Sequence, residues 1–441
     1  MYTNASLRKL IVPLVFEQIL VMLVGIVGTM MVSSAGEAAI SGVALVDMVN
    51  YLIITVMAAL STGGAVIVSQ YLGNRDKAKA NQAASQLVTI TLLISMAIMA
   101  ISLILHRGIL RLLFGAVDQD VMQSAITYFW ITALSFPFLG LYNSTAALFR
   151  SMHKTKVTMY VSLLMNVVNV IGSAIGVFVL HAGVAGVAVP ALISRAVAAM
   201  VMVLLSFNEK NEVYVRLQEI VSWNRAVLGK ILHIAVPNGI ENGLFALGRV
   251  LVTSIVALFG TSQVAANGVA GSIDMIAIIV VNSINLAILT VVGQCVGARE
   301  YEQARENIKK LMLASYISTA CLSLIVWALL PAILNCFALS DETYRLSFIL
   351  IMIHNIAAFV LHPTSFNLPN ALRAAGDAKF TMYVGIGSMI MFRLGSAVLF
   401  GIVLNLGVIG VWIAMCTDWL CRSVAFTIRF KSGRWKEYRA I

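Results

Sequence analysis

Charge is scarce in this sequence. Asp, Glu, Lys and Arg make up 11% of its 441 residues, where an ordinary soluble domain carries about 25%. Hydrophobic residues make up 60%. So little polar surface excludes a water-soluble globule and leaves no length for a soluble catalytic domain, so no enzyme is expected. Cysteine is sparse too. Cys295, Cys321, Cys336, Cys416 and Cys421 form no CxxC pair and no zinc-like spacing, which argues against a disulfide frame and a metal site. The histidines at 106, 153, 181, 233, 354 and 362 make no HExxH or other paired-ligand motif. No GxxxxGK(S/T) segment is present, so ATP is not the expected energy source. A net charge of +11 would fit nucleic acid if it lay on one face. The basic residues instead fall in short segments between apolar runs, so no nucleic-acid partner is expected.

What the chain has is long apolar runs. Six lie near 10–34, 45–70, 83–105, 122–149, 157–181 and 184–207. A charged segment, Asn208–Arg225, follows, and six more runs lie near 229–259, 268–296, 311–336, 344–370, 380–404 and 407–428. A spanning helix uses about 20 apolar residues, so twelve spans account for nearly the whole chain. Arg8 and Lys9 precede the first run as in a signal peptide. That run is about 25 residues long and contains Glu17, so an uncleaved first span is expected.

Lys and Arg are distributed unevenly between the ends of the runs. The N-terminus, the segments near 75, 155, 215, 305 and 375, and the C-terminal tail hold 23 of the 30. The opposite ends hold only Arg107, Arg111 and Arg345, and Arg195, Arg249, Arg393 and Arg422 lie inside runs. Basic loops stay on the cytoplasmic side. A multi-pass protein of the plasma (inner) membrane with both termini cytoplasmic is therefore expected.

Shifted by about 224 residues, the chain matches itself. Pro13-Leu-Val-Phe-Glu17 aligns with Pro237-Asn-Gly-Ile-Glu241, and Ser69 to Asp76 with Gly293 to Glu300. Thr158-Met159-Tyr160-Val161 recurs as Thr381-Met382-Tyr383-Val384, and Gly172-Ser173-Ala174 as Gly395-Ser396-Ala397. Similar order and spacing over four separate segments mark a duplication rather than a chance likeness of apolar helices. The expected fold is all-α: two six-helix lobes, 1–207 and 226–441, joined by a cytoplasmic linker at 208–225. An even span count inserts both halves with the same orientation. A pseudo-twofold axis along the membrane normal and a central cleft follow, as in parallel-repeat transporters. The expected working unit is one polypeptide in contact with membrane lipid.

These residues resemble the multidrug and toxic compound extrusion family of secondary transporters. The similarity lies in the repeated Gln-x-x-Gly-x-Arg-Asp/Glu ending of the second and eighth runs, Gln70 to Asp76 and Gln294 to Glu300. It extends to the Arg150 and Arg373 segments and to Asn166 and Asn169 in the fifth run, and it covers nearly the whole chain. The resemblance implies ion-driven export of small organic compounds without a cofactor. Many members carry an aspartate near the outer end of the first span. Here the segment reads Val27-Gly28-Thr29-Met30-Met31-Val32, so Gly28 stands at that place. An acid often found in the tenth span has no counterpart, and the nearest polar groups are His354 and His362.

An ionised side chain in mid-membrane is costly, so such groups are functional candidates. Glu241, four residues after Pro237, is the first expected coupling or substrate residue, with Glu17 as its repeat mate. Arg249, two turns further along, is the expected competitor for that carboxylate. Asp274 and Asp47 share the pattern aliphatic-Asp-Met and are expected near the outer mouth. Asn166 and Asn169 offer carbonyl oxygens to a cation or bond between helices. His354 and His362 titrate near neutral pH in water. Asp418 and Arg422, four residues apart, are expected to pair on one helix face, with Arg393 as a further partner for Asp418. Arg195 has no assigned role. The expected function is an antiporter exporting amphipathic, cationic organic compounds in exchange for protons or sodium. The alternative is a flippase for lipids or lipid-linked saccharides, whose anionic cargo would suit Arg195, Arg249 and Arg393.

Overall fold

The computed structural model describes residues 2–34, 36–114, 118–337 and 339–441, and no strand occurs among them. Long apolar runs fold as helices because lipid offers no partner to a free backbone N–H or C=O. The long helices are α1 (Asn4–Ser33), α2 (Glu37–Gly73), α3 (Lys77–Phe114), α4 (Gln119–Ala133), α5 (Phe136–Ser151), α6 (Thr155–Ala174) and α7 (Ala185–Ser206). A short α8 (Leu217–Val221) follows. Then come α9 (Arg225–Ala257), α10 (Thr261–Gly297), α11 (Tyr301–Asn335), α12 (Asp341–Ala375), α13 (Ala378–Ser388) and α14 (Gly407–Lys431). Among the described residues eleven helices are long and apolar enough to cross a membrane, or twelve if α4 and α5, bent by 47° at their junction, are one span. Pro137, in the first turn of α5, lacks the N–H that would continue the α4 ladder.

The duplication reaches the backbone's irregular points. α6 runs on into a π-helical turn at Ile175–Val179, and α13 runs on into π-helical turns at Met389–Gly395 and Val398–Val403. Left-handed residues recur in pairs: Gly36 and Gly260, Arg75 and Arg299, His153 and Gly376, His181 and Asn405, Gly183 and Gly407. Composition alone would not copy such points. Two halves inherited from one ancestral bundle would.

The chain divides into two compact units, Asn4–Gly239 and Ile240–Ile441 with Met1–Thr3. The division falls inside α9. The first part of that helix presses on α2, where a Cβ on Gly63 would meet the Ile231 carbonyl at 2.6 Å. Lys230 Nζ also donates to the Tyr71 hydroxyl at 3.0 Å. Within the first unit α2 packs on α4 and α5, and α7 on α4 and α5. Within the second, α12 packs on α10 and α14.

Each unit is fastened at one end by the segment after its sixth span. In the first, Asn81 Oδ1 accepts from the Tyr214 N–H at 3.0 Å and Ser85 Oγ from the Arg216 N–H at 2.9 Å. Gln86 Nε2 donates to the Glu219 carbonyl at 2.7 Å. Val213 and Val215 are buried beneath this strap. In the second unit the tail after α14 folds back. Trp435 is 1% exposed and donates to the Phe430 carbonyl, while Arg439 donates to the Gly297 carbonyl at 3.1 Å. Arg429 grips Asp377 with two nitrogens, at 2.7 and 3.3 Å.

Candidate functional site

Three polar groupings lie within the apolar bundles. The first pairs each repeated glutamate with a repeated arginine. Glu17 on α1 accepts from Arg150 Nη2 at 2.5 Å and from the Thr158 hydroxyl at 3.0 Å. Glu241 on α9 accepts from Arg373 Nη2, at the end of α12, and from Arg422 Nη2 on α14 at 3.0 Å. Both carboxylates are buried, and Arg373 and Arg422 are buried with Glu241. A Cβ on Gly385 would meet Glu241 Oε1 at 2.6 Å, so glycine there gives the carboxylate its room. Arg422 also faces the rings of Phe245 and Phe366 at 5.5 and 5.2 Å, which stabilises a cation away from water.

Arg249, the expected competitor for Glu241, is exposed and forms no ion pair among the described residues. The expected Asp418–Arg422 pair is also corrected. Arg422 turns to Glu241, while Asp418 accepts from the Ser388 hydroxyl and faces Arg393 Nη1 at 3.8 Å. The spacing permits pairing along one helix, but both groups find partners across helices. The expected Arg393–Asp418 contact is present.

The second grouping also lies in the second unit. Asp274 on α10 and His354 on α12 approach to 3.1 Å, Oδ1 to Nδ1, and both are buried. His354 sits edge-on to Trp412 and Trp419, with centroids 6.0 and 5.3 Å away. His362, two turns along α12, stacks on Phe366 at 4.3 Å and stands edge-on to Trp419 at 5.0 Å. Its Nδ1 is buried without a hydrogen-bond partner among the described residues. A carboxylate beside an imidazole, walled by indoles and with no arginine on it among the described residues, can exchange a proton with its neighbour without disturbing an arginine clamp. It also presents aromatic faces that suit an organic cation.

The third grouping lies in the first unit. Asp47 on α2 is exposed. It accepts from the Tyr128 hydroxyl at 3.4 Å and from Asn50 Nδ2 at 3.5 Å. Arg195 on α7 donates to the Ser135 hydroxyl at 2.6 Å, at the α4–α5 bend. Asn166 and Asn169 stand apart on α6. Asn166 is buried, its amide nitrogen without a hydrogen-bond partner among the described residues, and Asn169 accepts from Ser173 at 3.4 Å. Gly28 lies on α1 with open space where a side chain would project.

Arg150 and Arg373 read in the sequence as loop cations, and Trp412, Trp419, Tyr128 and Ser135 carry no signal there. The repeat offers one clue. Arg150 and Arg373 recur at nearly the same shift as Glu17 and Glu241, so each glutamate keeps its arginine. No group of three or more His, Cys, Asp or Glu side chains suited to a metal occurs among the described residues.

Two repeated six-span units with charges inside them define a helical membrane transporter. The MatE family model matches twice, over residues 13–175 and 237–416. The chain belongs to this family of multidrug and toxic compound extrusion transporters, which are not enzymes. It is 28% identical over 437 residues to "Uncharacterized transporter YisQ" of Bacillus subtilis, covering 98% of this chain and 94% of that one. It is 24% identical to "Probable multidrug resistance protein NorM" of Thermotoga maritima, covering 99% and 94%. A solved structure described as an outward-facing conformation of a multidrug resistance MATE family transporter matches with TM-score 0.91 at 19% identity, covering 98% and 96%. That likeness carries the fold.

Proposed function

We propose that the chain is a secondary antiporter that exports amphipathic, cationic organic compounds in exchange for protons by alternating access. It works as a single polypeptide in the cell membrane with both termini cytoplasmic, its lobes 1–207 and 226–441 joined by 208–225. The observation that carries the reading is the Asp274–His354 pair, buried in the second unit with no arginine on its carboxylate among the described residues. In this reading the pair holds the coupling proton. An organic cation seated against Asp274 and the indoles of Trp412 and Trp419 displaces that proton, and reprotonation from the other side of the membrane releases the cation. His362 supports the same aromatic wall. Glu17 and Glu241 fasten α1 and α9 to the arginines of their own units and are not the exchanging acids. Asn166, Asn169 and Asp47 belong to the first unit's share of the cargo path. Arg249, exposed and unpaired with any acid among the described residues, favours a second reading, a flippase for anionic lipid-linked cargo.

Reconstituted vesicles test this directly. Imposed proton and sodium gradients should be compared with a panel of cationic dyes as cargo. The proton gradient should drive uptake, and Asp274→Asn should abolish it. Drive by sodium alone would overturn proton coupling. Movement of anionic lipid-linked saccharide without dye transport would favour the flippase.

A further inference from the structure

The third grouping stands on the first unit's counterparts of α10 and α14 but carries different charges, with Asn50 at the place Asp274 takes in the repeat. By the repeat's spacing Arg195 corresponds to Asp418, so a cation stands in one half where an acid stands in the other. Their surroundings differ as well. Asp418 is fully buried, whereas Arg195 is half-buried and Asp47 is exposed.

Two features mark a place prepared for a ligand. Asn50 is 6% exposed, and its Oδ1 has no hydrogen-bond partner among the described residues. A buried acceptor without a donor is costly, and a cationic N–H beside Asp47 would satisfy it. Arg195 carries five N–H donors in a planar fork. Its partner is the neutral Ser135 hydroxyl, and among the described residues it makes no ion pair. Asp47 meets Tyr128 on α4 and Arg195 meets Ser135 two turns further along at the α4–α5 bend, and among the described residues the two charges form no ion pair. Opposite charges held near one another without contact suit a molecule that bears both signs.

We propose that α2, α4 and α7 form a recognition site for zwitterionic amphipathic compounds. Asp47, with Asn50 and Tyr128, takes the cationic centre, and Arg195 takes a carboxylate. Bidentate pairing with a planar anion is what the guanidinium does and what an ammonium does less well. The site deepens the export reading by naming a cargo class. It rests on that reading only in treating the ligand as cargo, because binding can be measured without transport.

Rhodamine 6G and its free acid, rhodamine 19, share one ring system and differ at one carboxylate. Binding of each to the purified full chain in detergent can be followed by fluorescence polarisation. Wild-type protein should bind both saturably. Arg195→Gln should weaken rhodamine 19 by at least about tenfold, the order expected for a charge-assisted hydrogen bond, and leave rhodamine 6G within about threefold. Asp47→Asn should weaken both. If Arg195→Gln fails to fold, Arg195→Lys keeps the charge and loses the fork, and it should weaken rhodamine 19 alone. Equal losses for both dyes in these arginine variants, no change in either, or no saturable rhodamine 19 binding to wild type would overturn the site. Dye binding that follows this pattern without vesicle uptake would count against export and leave the site standing.

Discussion

Replacing Glu241 with Gln should unfold the second unit more readily rather than merely uncouple transport. Glu241 accepts from Arg373 and Arg422, and all three side chains are at most 6% exposed. Removing one partner of a buried pair costs about 3–5 kcal/mol, because the remaining charge stays buried without compensation. Here two guanidinium groups lose their common carboxylate. Part of the loss is offset. A Gln amide oxygen can still accept one hydrogen bond, Arg373 keeps Asn370 Oδ1 at 2.7 Å, and Arg422 keeps its two phenyl faces. The lower end, about 3 kcal/mol, is the working figure. At about 2–4 °C per kcal/mol for large domains, Tm should fall by about 6–12 °C. Thermal unfolding in detergent, read by tryptophan fluorescence, measures it. The double variant Glu241→Gln with Arg422→Gln removes one of the orphaned charges and should recover part of the loss, a coupling that a double-mutant cycle isolates. A Glu241→Gln protein with wild-type Tm and no transport would refute the argument, since Glu241 would then be an exchanging acid and not a clamp.

Other outcomes follow from the straps and caps. Gly376 has φ +107°, and a Cβ there would meet the Tyr438 carbonyl oxygen at 1.9 Å. Gly376→Ala should therefore detach the C-terminal tail, seen as faster proteolysis after Lys431. Trp435→Ala should cost about 3–5 kcal/mol, as for other buried aromatics, and thermal unfolding would show it. Asp76 Oδ1 accepts from the Lys79 N–H at 3.1 Å and caps α3, so Asp76→Ala should cost about 1 kcal/mol. That bond holds the Asp76 carboxyl below its ordinary value. A depressed pKa stabilises the fold above the unfolded value and loses that contribution as pH falls through the folded one. The difference between wild type and Asp76→Ala should thus be full near neutral pH and vanish in acid.

The twelve spans, their doubling and the placement of acids inside them were legible because lipid leaves the backbone one solution and because runs of apolar residues count it. Side-chain partnership was less legible. Asp418 and Arg422 satisfy the rule for neighbours on one helix, yet that rule sees neither Glu241 on α9 nor Ser388 on α13. Arg150 and Arg373 end their helices among loop residues, so charge counting assigns them to the cytoplasm, while their side chains run back along the helix to Glu17 and Glu241. The π-helical turns were illegible, since apolar residues there read as ordinary helix. Asp274 was visible as an intramembrane acid. Its meeting with His354 depends on how α10 packs against α12, which no local pattern records.

Proton release on cargo binding tests the central claim most directly. Rhodamine 6G added to wild-type protein in detergent and weak buffer should release protons, read by a soluble pH indicator, as the dye displaces the proton held by Asp274 and His354. Asp274→Asn should bind the dye more weakly and release none. Equal release from the Asp274→Asn protein, or dye binding to wild type with no release at any pH between about 5 and 8, the range in which histidine titrates, would contradict the account.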